Sequence, residues 1–430
     1  MKRIVLSIMV LAVIGNALIQ RVRVAAADGA IALAVAGHAN ATPSIASNGR
    51  VVVVAWSASA RGVTDIYAAM SRDGGSTFTS PVRVNDAGAG ATVSGEQPPR
   101  IVFVPRPGSL PAIVVIWTAK ATAGTRIVTA RSDDGGRTFG RARTLSGSDA
   151  SGNRGWESAA ADADGNGVVV WLDHRELAPP TGVTTPMAHD HAAMKMPAHD
   201  AASIGREQLS KLYFQRLDGA SAAVALTGGV CYCCKTSVVA GPDRAFYAVW
   251  RHVYPGNIRD IAFTMSRDGG RTFTAPVRVS EDRWMLDGCP ENGPALTVSG
   301  NDVMVVWPTL VAGTGRGEAR MQLFFASTRD GKRFTTRVPM PTEGVPRHAQ
   351  VTALPNGSIV ATWDEAANGR RRVVLSAKDA ARDAFGGRTV ISAEASAEYP
   401  AIAAIGSSAI LAWKSGAADR SVIRVSRFHP

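Results

Sequence analysis

Ser266-Arg267-Asp268-Gly269-Gly270-Arg271-Thr272-Phe273 is the stretch from which the fold can be read. Two other stretches repeat it: Ser71-Arg72-Asp73-Gly74-Gly75-Ser76-Thr77-Phe78 and Ser132-Asp133-Asp134-Gly135-Gly136-Arg137-Thr138-Phe139. The shared pattern is Ser-x-Asp-x-Gly-x-Thr-Phe. Each copy follows an apolar, strand-like run and precedes another strand. The Asp carboxylate can accept hydrogen bonds from the N–H groups of a turn, and the glycines permit positive φ. The Phe is placed to tuck under the next strand. These features predict three tight hairpins of one design.

Working outward, seven tryptophans end seven apolar runs: Trp56, Trp117, Trp171, Trp250, Trp307, Trp363 and Trp413. Val51-Val52-Val53-Val54-Ala55-Trp56 is typical. Such runs are short, rich in β-branched residues and bounded by turn formers, so they read as buried strands. Trp56 stands 15 residues before Ser71, Trp117 15 before Ser132, and Trp250 16 before Ser266. Later copies decay: Ser327-Thr328-Arg329-Asp330-Gly331-Lys332-Arg333-Phe334 is one residue short between Asp and Phe, and Ser376 to Asp379 keeps a trace. Self-similarity at this period signals a propeller or another repeat architecture. Each unit reads as strand, turn, Trp strand, loop, strand, box, strand, which is a four-stranded blade. The expected fold is an all-β propeller, with seven blades favoured over six. The seventh repeat stops at Arg427-Phe428-His429-Pro430, so a strand near Ala30–Ala36 is expected to close the ring.

The three boxes resemble the Asp-box of the sialidase-like β-propellers. That resemblance implies binding of acidic glycans and, in catalytic members, their hydrolysis. Sialidases have six blades. They use three arginines to clamp a carboxylate, a Tyr nucleophile paired with a Glu, and an Asp acid/base. The guanidinium fork suits bidentate binding of a carboxylate. The Phe/Tyr-Arg-Ile-Pro motif of the first sialidase arginine is absent, so no catalytic set transfers residue by residue.

In a meandering blade the boxes mark one face. The loops after each Trp and the links between blades share the opposite face, where sialidase-like sites lie. The sequence places Arg100, Arg154, Arg175, Arg251, Arg259 and Arg347 there as candidate anion ligands. Asp173 and Glu157 are the acid/base candidates, and Tyr254 is the candidate nucleophile. All four cysteines and seven of the eight histidines fall on the same face. A bland alternative, polar links on a non-catalytic interaction scaffold, fits the same inventory.

Met1-Lys2-Arg3, an apolar run from Ile4 to Ile19, and Ala25-Ala26-Ala27 read as a secretory signal over residues 1–27, with the propeller at 28–430. An uncleaved anchor is the alternative, and no other stretch is apolar enough to span a bilayer. The expected location is periplasmic or extracellular. The net charge of +12 falls by four with that segment. The remaining basic balance favours acidic partners, and no nucleic-acid motif is present. No Gly-rich phosphate loop or Ser-nucleophile elbow appears either.

Cys231, Cys233, Cys234 and Cys289 are an even set in an exported chain. Disulfides are the expected state, with Cys289 joined to Cys231 or Cys233. The alternative is a thiolate site for zinc or copper(I). The third repeat also carries an insert over residues 176–209 that is dense in thioether and imidazole: Met187, His189, His191, Met194, Met196 and His199. Such ligands suit copper, and the tract resembles those of periplasmic copper-handling proteins. The second functional expectation is therefore a metal-binding propeller, with copper or zinc as the ion.

Overall fold

A computed structural model describes residues 23–24, 29–177, 208–218, 221–286, 290–312, 318–392 and 396–430. Seven antiparallel sheets follow one another in chain order and form a seven-bladed propeller. Blade 1 runs through Ala39–Asn48, Val51–Ala60, Val63–Ser71 and Val82–Arg83, and each later blade repeats that order. Blade 7 takes its outermost strand from the other end of the chain: Ile31–Leu33 pairs with Val422–Phe428. The ring is therefore closed by the predicted N-terminal strand. Arg23–Val24 adds a parallel fifth strand to blade 6. Among the described residues, helix is limited to the 3-10 turns Arg175–Leu177 and Ala418–Arg420. No helix among them is long and apolar enough to cross a membrane.

All seven tryptophans are fully buried on second strands, and the apolar clusters lie between neighbouring blades. The boxes pin these seams. Asp268 Oδ1 accepts from the N–H groups of Arg271 and Thr272, both at 2.9 Å, and its Oδ2 accepts from Thr272 Oγ1 at 2.6 Å. Ser266 Oγ donates to Asp268 and accepts from Gly270 N. Asp73 and Asp134 make the same set. At Asp330 the two backbone bonds survive, but the closing Thr bond is missing. The second glycine of the box has positive φ and also lies flat on the preceding blade. A Cβ there would collide with Ile410 at Gly75, Met70 at Gly136 and Val168 at Gly270. The box Phe enters the same seam: Phe273 meets Phe214 of blade 3 edge-on at 4.8 Å, and Phe334 meets Phe263 of blade 4 at 5.2 Å.

Candidate functional site

On the opposite face the inner strands break their register in a repeated way. Four of them carry a bulge immediately after the residue that pairs with the position following the Trp. The breaks lie between Ala41 and Ser44, Gly155 and Ser158, Arg347 and Gln350, and Glu398 and Ala401. The first bulged residue is left-handed in each blade: Thr42 (φ 47°), Trp156 (φ 53°), His348 (φ 53°) and Tyr399 (φ 56°). Non-glycine residues avoid this region, and such strain gathers at functional sites. The bulges aim these side chains around the inner rim.

Two of them meet. The rings of His348 and Tyr399 lie 4.6 Å apart. His348 Nδ1 is 2.6 Å from Asp364 Oδ1, and Arg371 Nη1 donates to Asp364 Oδ2 at 2.7 Å. Asp364 follows Trp363 directly, and Arg371 lies on the next strand. Asp364 is buried. Burial works against its charge, but His348 and Arg371 hold its carboxyl below the usual range. Burial raises the Tyr399 phenol, with the Glu398 charge adding to it, so the hydroxyl stays protonated at neutral pH. A carboxylate that fixes Nδ1 leaves Nε2 for proton exchange, the arrangement general acid–base catalysis needs.

The centre of the rim is held by charge. Glu96, from the link into blade 2, reaches blades 4 and 5, where its Oε2 accepts from Lys235 N at 3.0 Å and Gly293 N at 2.7 Å. Lys235 Nζ donates to Ala349 O of blade 6 at 2.5 Å. Burial brings the Lys235 ammonium down to about 8, with Glu96 opposing the shift.

The six candidate arginines are not assembled into one clamp. Arg154 is buried and bonds Asp173 and the carbonyls of Ser148 and Ser151. Arg175 closes on the same carboxylate. Asp173 is thus the centre of a buried ion triad, and Arg175 hydrogen bonds keep its carboxyl low despite burial. Such a carboxylate is poorly placed to donate a proton. Arg251 donates to Arg259 O, Asn292 O and Pro308 O, and its guanidinium lies 4.7 Å from the Trp284 ring centroid. Arg259 is buried and donates to Leu286 O. Arg100 donates to Glu157 O. Arg347, beside His348, is the one of the six that is exposed. Glu157 is buried beside Thr118, and burial raises its carboxyl to about 7. Tyr254 lies under Arg278, 3.8 Å from ring centroid to guanidinium carbon.

The cysteines do converge. The sulfurs of Cys231, Cys233 and Cys234 lie within 4.8 Å of one another, all buried. Cys231 and Cys234 are free thiols with sulfurs 3.6 Å apart. Arg259 Nη1 donates to Cys231 Sγ at 3.3 Å. The Cys234 hydrogen bond, with Arg259 and Arg251 nearby, lowers the Cys231 thiol, while burial raises Cys234. Cys289 and the insert residues Met187, His189, His191, Met194, Met196 and His199 lie outside the described residues.

Asp364 and Arg371 escaped the sequence reading. Their signal was available: in four blades the residue after the Trp pairs next to the inner-strand break, and in blade 6 that residue is a carboxylate, Asp364.

No protein-family model matches the chain, and no curated protein matches it. Solved structures do share the fold. A polysaccharide lyase of family PL25, an ulvan lyase, superposes with a TM-score of 0.55 at 10% identity, covering 91% of this chain and 93% of that one. A Dyadobacter fermentans protein of unknown function gives 0.50 at 13% identity, covering 94% and 100%. Penicillium chrysogenum α-L-arabinanase complexed with arabinobiose gives 0.50 at 12% identity, covering 92% and 96%. At these identities the likeness is one of fold.

Proposed function

We propose that this protein binds and processes acidic glycans on the face opposite the boxes, at the inner rim where His348 and Tyr399 meet. The observation that carries this reading is the His348–Asp364–Arg371 relay on a strained bulge. His348 exchanges the proton, Asp364 orients it, and the Tyr399 hydroxyl is the second donor. Exposed Arg347 supplies a cation for an anionic sugar, and Lys414, 5.9 Å from the Tyr399 ring, is held by Glu398 at 3.0 Å. The ulvan lyase structure bound to a glucuronate–sulfated rhamnose unit, with a TM-score of 0.53, supports an acidic glycan as the ligand class. Of the residues expected from sequence, Arg347 keeps its proposed ligand role. Glu157 and Asp173 are proposed as internal supports of the rim.

The test is a panel of uronate-containing and sialylated oligosaccharides, assayed for binding and cleavage. New reducing ends without ultraviolet absorbance report hydrolysis, and an absorbing unsaturated uronate reports elimination. His348→Gln should lower turnover about 10²–10⁴-fold, the usual worth of a positioned acid–base group. Full turnover in H348Q, or no acidic glycan bound, would remove this reading.

We also infer export directed by residues 1–27, and a disulfide between Cys233 and Cys289. Cys231 and Cys234 are free, which leaves Cys233 and Cys289 as the other two of the four cysteines of the sequence. Peptide mapping without reduction tests the pairing.

A further inference from the structure

We propose that Cys231 and Cys234 form a two-coordinate site for a soft monovalent metal ion, copper(I), walled by Arg259. The two residues are spaced Cys-x-x-Cys in Cys231-Tyr232-Cys233-Cys234, and both sulfurs turn to the same side at 3.6 Å. A small parting of the sulfurs admits an ion between them. Both thiols are free and buried, packed with Val253, Trp156 and Tyr232. Two buried thiolates at this spacing select a soft ion.

Ligand number decides between the candidate metals. Zinc takes four ligands, drawn from Cys, His and carboxylate. Among the described residues no His nitrogen or carboxylate oxygen joins the three sulfurs in their cluster. Copper(I), a filled-shell monovalent ion, is satisfied by two thiolates in a line. Charge agrees. Two thiolates and one monovalent cation leave one negative charge, and the Arg259 guanidinium stands 3.3 Å from Cys231 Sγ to balance it. Loading replaces two S–H protons by the metal, so two protons leave for each ion bound, with no change of oxidation state.

The experiment uses the full exported chain. Copper(I) alone is added under anaerobic conditions with a chromophoric competitor, and stoichiometry is read by native mass spectrometry and competitor absorbance. The His/Met-rich insert can take ions of its own, so the readout is the difference between wild type and C231A/C234A. The expected difference is one equivalent, with a two-sulfur shell in X-ray absorption. Arg259→Met should keep the stoichiometry and weaken retention at least tenfold. Should the double variant fail to fold, C234S in a chain with unchanged circular dichroism gives the same loss of one equivalent. Equal copper uptake by wild type and C231A/C234A overturns the site. So does the recovery of Cys231 and Cys234 joined to each other in the exported protein. Equal retention of zinc and copper(I) by the wild-type site overturns the two-coordinate assignment.

Discussion

The two faces of this propeller are built on opposite electrostatic terms. On the box face the carboxylates sit at the surface and every oxygen is engaged. Asp73, Asp134 and Asp268 each accept from two backbone N–H groups and two hydroxyls, all within six residues of one another. On the other face charges are buried, and the partners at its centre come from far along the chain. Glu96 bonds Gly293 across 197 residues, and Lys235 bonds Ala349 across 114. Several atoms there have no hydrogen-bond partner, among them Glu96 Oε1, Glu157 Oε1 and Arg100 Nη2. Local, saturated turns make the repeat robust. Buried charge with spare valence is costly for folding and is the kind of feature a ligand-handling rim retains.

The largest effect should follow from removing the charge at the centre. Glu96→Ala leaves the Lys235 and Gly293 N–H groups without an acceptor and removes the carboxylate that most favours the buried Lys235 charge. Each buried donor left unsatisfied costs about 1–3 kcal/mol. Urea denaturation should show a loss of that size, with Glu96→Gln recovering part of it because the amide oxygen still accepts. A loss below about 1 kcal/mol in E96A would mean that the two faces do not differ in the way proposed.

A second, smaller effect is a pH dependence confined to the buried face. The Glu157 carboxyl ordinarily titrates at 4.5, and burial raises it to about 7 in the fold. Between those values the native state holds the proton and the unfolded chain has lost it. Stability should therefore be full below about 4.5, fall as pH rises toward 7, and level off above. At 1.36 kcal/mol per pKa unit the span is on the order of 3 kcal/mol. Glu157→Gln should abolish that slope. An unchanged slope in E157Q, read from denaturation midpoints between these pH values, would assign the dependence to another group.

What the sequence disclosed follows the same division. The boxes were legible because their bonds close within six residues, so pattern and structure are nearly the same information. The Trp strands were legible because burial between blades demands apolar runs, and their count predicted the seven blades and the N-terminal closing strand. The rim was legible only as an inventory. Arg154, Arg175 and Asp173 lie within 22 residues and looked like site residues, yet they neutralise one another in the interior. The meeting of His348 and Tyr399 depends on bulges in two blades, which leave no mark on periodicity. Glu96 and Lys235 act across the ring, where spacing along the chain carries no information.

The smallest effect tests the other half of the contrast. Burial acts against the Asp268 charge, but the Thr272 hydroxyl and the turn N–H groups outweigh it and bring the carboxyl to about 2. A depressed carboxylate contributes stability that is present above its unfolded value and lost as pH falls through the folded one. Asp268→Ala should cost only about 1 kcal/mol, since the freed N–H groups face water and recover hydrogen bonds there. Asp134→Ala should cost about the same, because the bonding set is the same. The two losses should add in the double variant, since the boxes sit on separate blades without shared partners. Glycan turnover should not move in either variant. A loss of turnover in D268A at unchanged circular dichroism would show that the box face also handles ligand, and the division of the propeller into a structural face and a working face would fall with it.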